Sequence, residues 1–262
     1  MSLSKSKIVQ QFNRAAIDYD RFAQVQHDIS HELVAAVDAY ANTRKDNIVI
    51  ADLGCGTAAL IKSLADLGYR NLSGFDISSR MLEEAKRKCL SRASFVCGDI
   101  ESLPVAGDSF DVIVSNAAIQ WCRSEQAFAE MERVLKPQGQ AFVSTFGPQT
   151  LIQWKEAFSK VGDSRVHTFE TKDQISSSIK KAGLEPLVLE AQFVDITFTS
   201  VAAMFDSVRR IGATNAQQSS TGKRILKSDY QAVKADFQRT LQTQGKLTLT
   251  YEVINIVVAK PK

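Results

Sequence analysis

Cysteine is scarce in this chain, and no two cysteines have the spacing of a metal or redox site. The four residues are Cys55, Cys89, Cys97 and Cys122, and none forms a C-x-x-C pair. This pattern disfavours a disulfide or zinc framework and favours a reducing compartment.

The sequence also lacks a long apolar run and a strong charge bias. Its polar start has no signal-peptide apolar region, and no apolar run is long enough to span a bilayer. The formal net charge is only +3, which is no signature of a polyanion-binding protein. We therefore expect a cytoplasmic protein with no membrane partner and no nucleic-acid partner.

A metal site is not predicted either. His27 and His31 have the spacing of a zinc-binding helix, but the glutamate of that motif is absent and no third ligand is evident. We therefore interpret both histidines as surface residues.

What the sequence does contain predicts one large α/β domain. The chain has 262 residues, of which 44% are hydrophobic. Short apolar runs alternate with segments of helical periodicity from about residue 48 to residue 146. This alternation of strand and helix patterns predicts a doubly wound sheet. Two later strands, near residues 187 and 247, suit an antiparallel addition to the sheet edge.

The chain is organised around the stretch Ile48–Ala59, which reads as strand, glycine turn and helix. Asp52 ends the strand, and Gly54 and Gly56 allow a sharp turn close to a ligand. The new helix is expected to point free N–H groups at that ligand. Asp76 ends the next apolar run, where an acid can accept hydrogen bonds from a ribose diol. The pattern predicts a nucleoside-containing cofactor.

Two cofactors fit this pattern. G-x-G-x-x-A, from Gly54 to Ala59, matches the dinucleotide fingerprint. D-x-G-x-G-x-A, from Asp52 to Ala58, resembles motif I of class I S-adenosylmethionine (SAM) methyltransferases, with Ala58 at the usual third glycine. Asp52 favours SAM, because an acid suits the methionine ammonium and repels a pyrophosphate.

Further residues extend this resemblance to the class I SAM methyltransferases. After the third strand, Asp99 can accept from an adenine amino group while Ile100 covers a ring face. The fourth strand, F-D-V-I-V, opens onto Ser115-Asn116 and a polar and aromatic run. The resemblance implies a seven-stranded, mostly parallel Rossmann-like sheet with an antiparallel last strand and helical lid elements. The cofactor-binding residues that it implies are Asp52, Gly54, Cys55, Gly56, Asp76, Ile77, Met81, Asp99, Ile100 and Asn116.

Several segments resemble one family within this class, the malonyl-acyl-carrier-protein O-methyltransferases of biotin synthesis. They are F-N-R-A-A with Tyr19, G-D-I-E-S-L-P, I-Q-W-C, I-G-A-T-N from Ile211, and L-T-Y-E. The family implies SAM as co-substrate, no metal, and methylation of the free carboxylate of a malonyl thioester on acyl carrier protein. Because that carboxylate is already ionised at neutral pH, no general base is expected.

Three residues are assigned to the reaction on this resemblance. Tyr19 is expected to close over the methionine end of SAM. Arg209 or Arg210, just before I-G-A-T, is expected to grip the malonyl carboxylate bidentately.

The predicted domain organisation and the alternatives follow from the same resemblance. One methyltransferase domain spans 1–262, with an N-terminal helical cap (1–44), a SAM-binding core (45–199), a helical lid insertion (200–245) and a final strand (246–262). The alternatives are a SAM methyltransferase for a small-molecule acid or quinone precursor, a nicotinamide oxidoreductase, and a SAM-binding protein without activity.

Overall fold

The computed structural model describes residues 5–21, 23–89, 92–162, 166–210 and 226–262, apart from the side chain of Arg210. The strands are β1 (Val49–Leu53), β2 (Asn71–Asp76), β3 (Ser94–Cys97), β4 (Phe110–Asn116), β5 (Leu135–Phe146), β6 (Glu185–Phe198) and β7 (Leu247–Ala259). The helices are α1 (Lys5–Ala15), α2 (Gln24–Ala41), α3 (Ala59–Asp66), α4 (Ser79–Cys89), α5 (Ser124–Val134), α6 (Ile152–Ser159), α7 (Lys172–Lys181), α8 (Val201–Arg210) and α9 (Lys227–Gln244).

All seven strands form one sheet in the order β3-β2-β1-β4-β5-β7-β6. Strands β1 to β5 pair in parallel, and β7 pairs antiparallel with both β5 and β6. The predicted Rossmann-like sheet with an antiparallel last strand is confirmed. The last strand lies one position inside the edge, and β6 is the edge strand itself.

Alternating side chains of the strands build a hydrophobic core on each face of the sheet. In β4, Val112 and Val114 pack on the face covered by α2, α3, α4, α6, α8 and α9. Ile113 points to the opposite face, against α5 and α7. Both faces of the central strands are buried, as expected for parallel strands with helical crossovers.

Two boundaries differ from the sequence-based expectation. The predicted N-terminal helical cap (1–44) is interrupted by a 3-10 turn at Tyr19–Arg21, and Phe22 lies outside the described residues. Pro137 and Gly139, residue types that usually end a helix, lie inside β5, which starts at Leu135. The pairing of β5 with β4 is irregular there and becomes regular from Gln140.

The N-terminal helices cover the carboxyl ends of the central strands. Asn13 of α1 accepts a hydrogen bond from the Ser78 hydroxyl at 2.7 Å. Asp20 accepts from Thr57 Oγ1 and is ion-paired with Lys88, each at 2.5 Å. No helix in the described ranges is long and apolar enough to cross a membrane.

Candidate functional site

Glycine is required in the turn between β1 and α3. Gly54 has φ of +76° and Gly56 has φ of +51°, in the left-handed region that glycine adopts without steric penalty. A Cβ atom on Gly54 would lie 2.4 Å from the Cβ of Ala118, in the loop after β4. A side chain at position 54 would therefore push the two loops apart.

Ala58 stands where the motif usually has its third glycine, and its backbone is also left-handed. Its φ is 67° and its ψ is 32°, directly before the first residue of α3. This conformation costs an alanine roughly 1–2 kcal/mol because Cβ approaches the following carbonyl oxygen. The usual glycine is therefore favoured here by backbone conformation, and Ala58 keeps the turn at an energetic cost.

The turn's amide groups are already bonded to the neighbouring strand. The N–H groups of Gly54 and Cys55 both donate to the carbonyl of Phe75, at 2.8 and 2.9 Å. Gly56 N–H donates to the Asp76 carboxylate at 2.9 Å. These three amides of the turn are therefore already used, and this disfavours a dinucleotide pyrophosphate as the ligand.

Asp76 is held in one orientation by the backbone and keeps acceptor capacity. Its Oδ2 accepts from Gly56 N–H at 2.9 Å, and its Oδ1 accepts from Ser78 N–H at 2.8 Å. Burial raises its pKa to about 6, and these two hydrogen bonds oppose the rise. Each carboxylate oxygen has a second lone-pair site, so the group can also accept from a diol.

Asp52 is a buried acid whose negative charge has no described hydrogen bond or ion pair to stabilise it. It is 2% exposed, and within the described ranges no hydrogen bond or ion pair reaches its carboxylate. Burial, and then repulsion by Asp76, raises its pKa to about 8. Burial and the same two acids raise the pKa of the neighbouring Cys55 thiol as well. The arrangement therefore favours a ligand that brings positive charge or hydrogen-bond donors.

The carboxyl ends of β1, β2, β3 and β4 surround a cavity, here called the cofactor cavity. Predicted site residues that line it are Tyr19, Gly54, Gly56, Asp76, Ile77, Met81, Asp99, Ile100 and Asn116. Asp52 and Cys55 are buried next to this lining. Sequence reasoning did not identify Lys5, Ile8 and Phe12 of α1, or Trp121, which also line the cavity.

Asp99 already has a cationic partner. Lys5 of α1 forms ion pairs with both Asp99 and Glu101, the second at 2.7 Å. Burial opposes the charge on Lys5, but hydrogen bonds and attraction from both acids outweigh it and raise the lysine pKa. An adenine amino group at Asp99 would therefore share that carboxylate with Lys5.

Asn116 has a structural task in addition to lining the cavity. Its Nδ2 donates to the Gln26 carbonyl of α2 at 2.7 Å, and its Oδ1 accepts from Ser144 Oγ at 2.8 Å. Both ends of the amide are used, so Asn116 ties α2 to the ends of β4 and β5.

A second cavity adjoins the first and is here called the acceptor cavity. The two share Phe12, Tyr19, Ala117 and Trp121 in their walls. Its other aromatic walls are Phe146, Phe169 and Tyr251, and its polar walls include Gln26, Gln120 and Thr150. Tyr19 is half-buried between the two cavities, and desolvation of its phenol, together with the charges of Asp76 and Asp20, raises the pKa of that group.

The two predicted arginines are not brought into these cavities by any described contact. Arg209 is exposed and forms an ion pair with Asp206 of its own helix at 2.9 Å. It is absent from the described lining of both cavities. The side chain of Arg210 and the I-G-A-T-N segment lie outside the described residues.

Comparison with known proteins shows the family to which this chain belongs. The methyltransferase domain family matches residues 51–143. The biotin biosynthesis bifunctional protein BioHC of Saccharophagus degradans is 35% identical, over 95% of this chain and 46% of that protein. Malonyl-[acyl-carrier protein] O-methyltransferase of Methylovorus sp. is 32% identical, over 99% of this chain and 90% of that protein. This chain belongs to the malonyl-[acyl-carrier protein] O-methyltransferase family.

Membership of this O-methyltransferase family confirms the resemblance read from the sequence. The solved structure of a candidate methyltransferase from Bacillus halodurans has a TM-score of 0.63 and 16% identity, over 87% of this chain and 99% of that one. This likeness supports the fold alone. The chain spans about half the length of the bifunctional relatives that it matches, 46% of one and 51% of the other.

Proposed function

We propose that this protein transfers a methyl group from SAM to the free carboxylate of a malonyl thioester on acyl carrier protein, in biotin biosynthesis. The observation that carries the proposal is the pair of buried acids, Asp52 and Asp76, beside a tight glycine turn. Asp52 favours a ligand with a positive charge, and Asp76 favours one with a diol. SAM has an ammonium, a sulfonium and a ribose.

The described residues give each part of SAM a partner. Asp76 would accept from the ribose hydroxyls, and Asp52 would face the methionine ammonium. Asp99 would accept from the adenine amino group, with Ile100 and Met81 against the ring. Bound there, SAM supplies an electrophilic methyl group on a sulfonium sulfur.

The protein's own contribution to the reaction is positioning and the exclusion of water. A malonyl carboxylate is ionised at neutral pH, so it needs no general base. Phe12, Tyr19 and Trp121 form the wall common to the two cavities, and the acceptor cavity adjoins the cofactor cavity there. An acceptor in the second cavity would meet the methyl group at this wall.

The lid and the partner are part of the same proposal. Residues 200–245 would form a lid, of which α8 and α9 pack on α6, with the ring centroids of Trp154 and Phe205 4.6 Å apart. The acyl-carrier-protein partner is supported by the names of the relatives. Lys227 and Lys234 on α9 would suit an acidic surface on that partner, and the basic residues Lys223 and Arg224 lie outside the described residues. The cytoplasmic location is supported by the four free thiols.

An acceptor panel tests the proposal. Release of S-adenosylhomocysteine should be fastest with malonyl-carrier protein, and its KM should rise with ionic strength while that of SAM stays nearly constant. Preference for a free small acid over every malonyl thioester would favour the alternative, a small-molecule methyltransferase. Calorimetric binding of NAD in place of SAM would overturn the cofactor assignment.

A further inference from the structure

The acceptor cavity contains two polar groups that the rest of the fold leaves unused. Gln26 Oε1 is buried without a hydrogen-bond partner in the described part of the chain. Tyr251 is 3% exposed, and burial is the only influence that raises the pKa of its phenol, with no hydrogen bond to the hydroxyl among the described residues. Both residues line the same cavity.

Two other polar residues of this wall, Gln120 and Thr150, are occupied. Gln120 Nε2 donates to the Ala117 carbonyl at 2.6 Å. Thr150 Oγ1 donates to the Glu252 carbonyl at 3.1 Å and accepts from the Glu252 N–H at 3.1 Å. Gln26 therefore differs from Gln120 and Thr150 in having a buried side-chain atom without a partner among the described residues.

The backbone around these two groups is fixed. The Gln26 carbonyl accepts from Asn116 Nδ2 at 2.7 Å, which anchors this turn of α2 at the end of β4. Tyr251 belongs to β7, and its ring centroid lies 5.7 Å from that of Phe146 on β5. Phenylalanine at position 251 would bury the same ring without leaving a hydroxyl unpaired. An unpaired buried polar atom lowers stability, so its presence beside a cavity points to a ligand.

We propose that the Tyr251 hydroxyl and the Gln26 side-chain amide donate hydrogen bonds to the acceptor's carboxylate and thereby select carboxylate acceptors. This inference rests on the proposed function. A phenol at neutral pH is a donor, and rotation of the terminal amide presents the NH₂ group of Gln26 to the cavity.

Neutral donors suit this reaction better than a fixed cation. Methyl transfer from a sulfonium to a carboxylate removes one positive and one negative charge. A guanidinium bound to the carboxylate would stabilise the charged ground state more than the transition state, in which that charge is fading. Neutral donors in an aromatic wall fix the carboxylate while favouring loss of charge.

One described cation lies near this wall and provides the competing explanation. Lys155 is half-buried, with Nζ 5.6 Å from the ring centroid of Phe169 and 2.7 Å from the Pro148 carbonyl to which it donates. It is not part of the described lining of the cavity. The experiment must separate its contribution from that of the two neutral groups.

The test compares binding of a malonyl thioester with binding of its methyl ester, each measured by calorimetry in the presence of S-adenosylhomocysteine. Tyr251→Phe and Gln26→Met should each weaken malonyl binding about 10- to 100-fold and leave the methyl ester and SAM nearly unchanged. Tyr69→Phe, which removes a hydroxyl bonded to Asp38 at 3.0 Å elsewhere in the fold, should leave all three affinities unchanged.

Three results would overturn the assignment. The first is wild-type malonyl affinity in both variants. The second is equal weakening of malonyl and methyl-ester binding, which indicates general damage to the cavity. The third is loss of the malonyl preference in Lys155→Met alone. Failure of the wild-type protein to methylate any malonyl thioester would instead refute the proposed function, and is measured separately.

Discussion

Replacing Asp52 with asparagine tests the electrostatic basis of cofactor binding. With a pKa of about 8, only about a tenth of the Asp52 carboxyl groups are ionised at pH 7. Ionising the group at pH 7 costs about 1.4 kcal/mol, and a cationic ligand must supply that energy. SAM affinity of the wild-type protein should therefore rise about eightfold between pH 6.5 and 7.5, as the ionised fraction grows.

Asp52→Asn should remove most of this pH dependence. Asparagine does not titrate, and Asp76, with a pKa of about 6, is largely ionised throughout the window. The variant's affinity should change by less than about twofold over the same range. Calorimetric titrations at constant ionic strength measure both proteins. Glu190→Gln, on the edge strand β6, is the matched control and should keep the wild-type slope.

The same substitution has a consequence for stability without ligand. The folded pKa of Asp52 lies above its value of about 3.9 in an unfolded chain, so the folded state holds the extra proton between about pH 4 and pH 8. Its contribution to the free energy of unfolding is therefore complete below pH 4 and falls as pH rises towards 8. Asp52→Asn should lessen that decline in thermal melts. An eightfold affinity change that persists in the variant, with an unchanged decline in stability, would show that Asp52 is not the titrating group.

Four further predictions concern single residues. Gly54→Val should abolish measurable SAM binding, because its Cβ would lie 2.4 Å from that of Ala118; normal binding would exclude this turn as the cofactor site. Asp76→Ala should weaken SAM binding by about 1–3 kcal/mol, and unchanged affinity by calorimetry would contradict its role as ribose acceptor. Ala58→Gly should raise the free energy of unfolding in urea by about 0.5–1 kcal/mol, whereas a decrease would show that the left-handed backbone is not strained. Arg209→Ala should keep kcat/KM for the malonyl thioester within about twofold, and a tenfold loss would restore this arginine to the site.

Sequence alone predicted the parts of the site that depend on local pattern. Asp52 and Asp76 each follow a short apolar run, and parallel strands bring such ends to one edge of a sheet. The glycine turn could also be predicted, because it follows directly from the local sequence pattern. The left-handed backbone of Ala58 could not be predicted, because the motif shows that glycine is usual there but gives no φ angle.

The rest of the site depends on long-range packing. Gln26 and Tyr251 come from opposite ends of the chain and line one cavity because β7 inserts between β5 and β6 and α2 covers the ends of β4 and β5. No spacing rule connects such positions. The pairing of Lys5 with Asp99 also depends on how α1 lies over the sheet. Arg209 was predicted to bind the malonyl carboxylate because of its charge. In the structure its ion-pair partner is Asp206 on its own helix.

The reaction proposed for this chain is methylation of the carboxylate of a malonyl group carried as a thioester. The most direct measurement is the intact mass of malonyl-carrier protein after incubation with the enzyme and SAM. We expect a gain of one methylene on the carrier, and no gain when the carrier bears an acetyl group. A carrier of unchanged mass, under conditions in which the enzyme binds SAM and methylates another acceptor, would contradict the account.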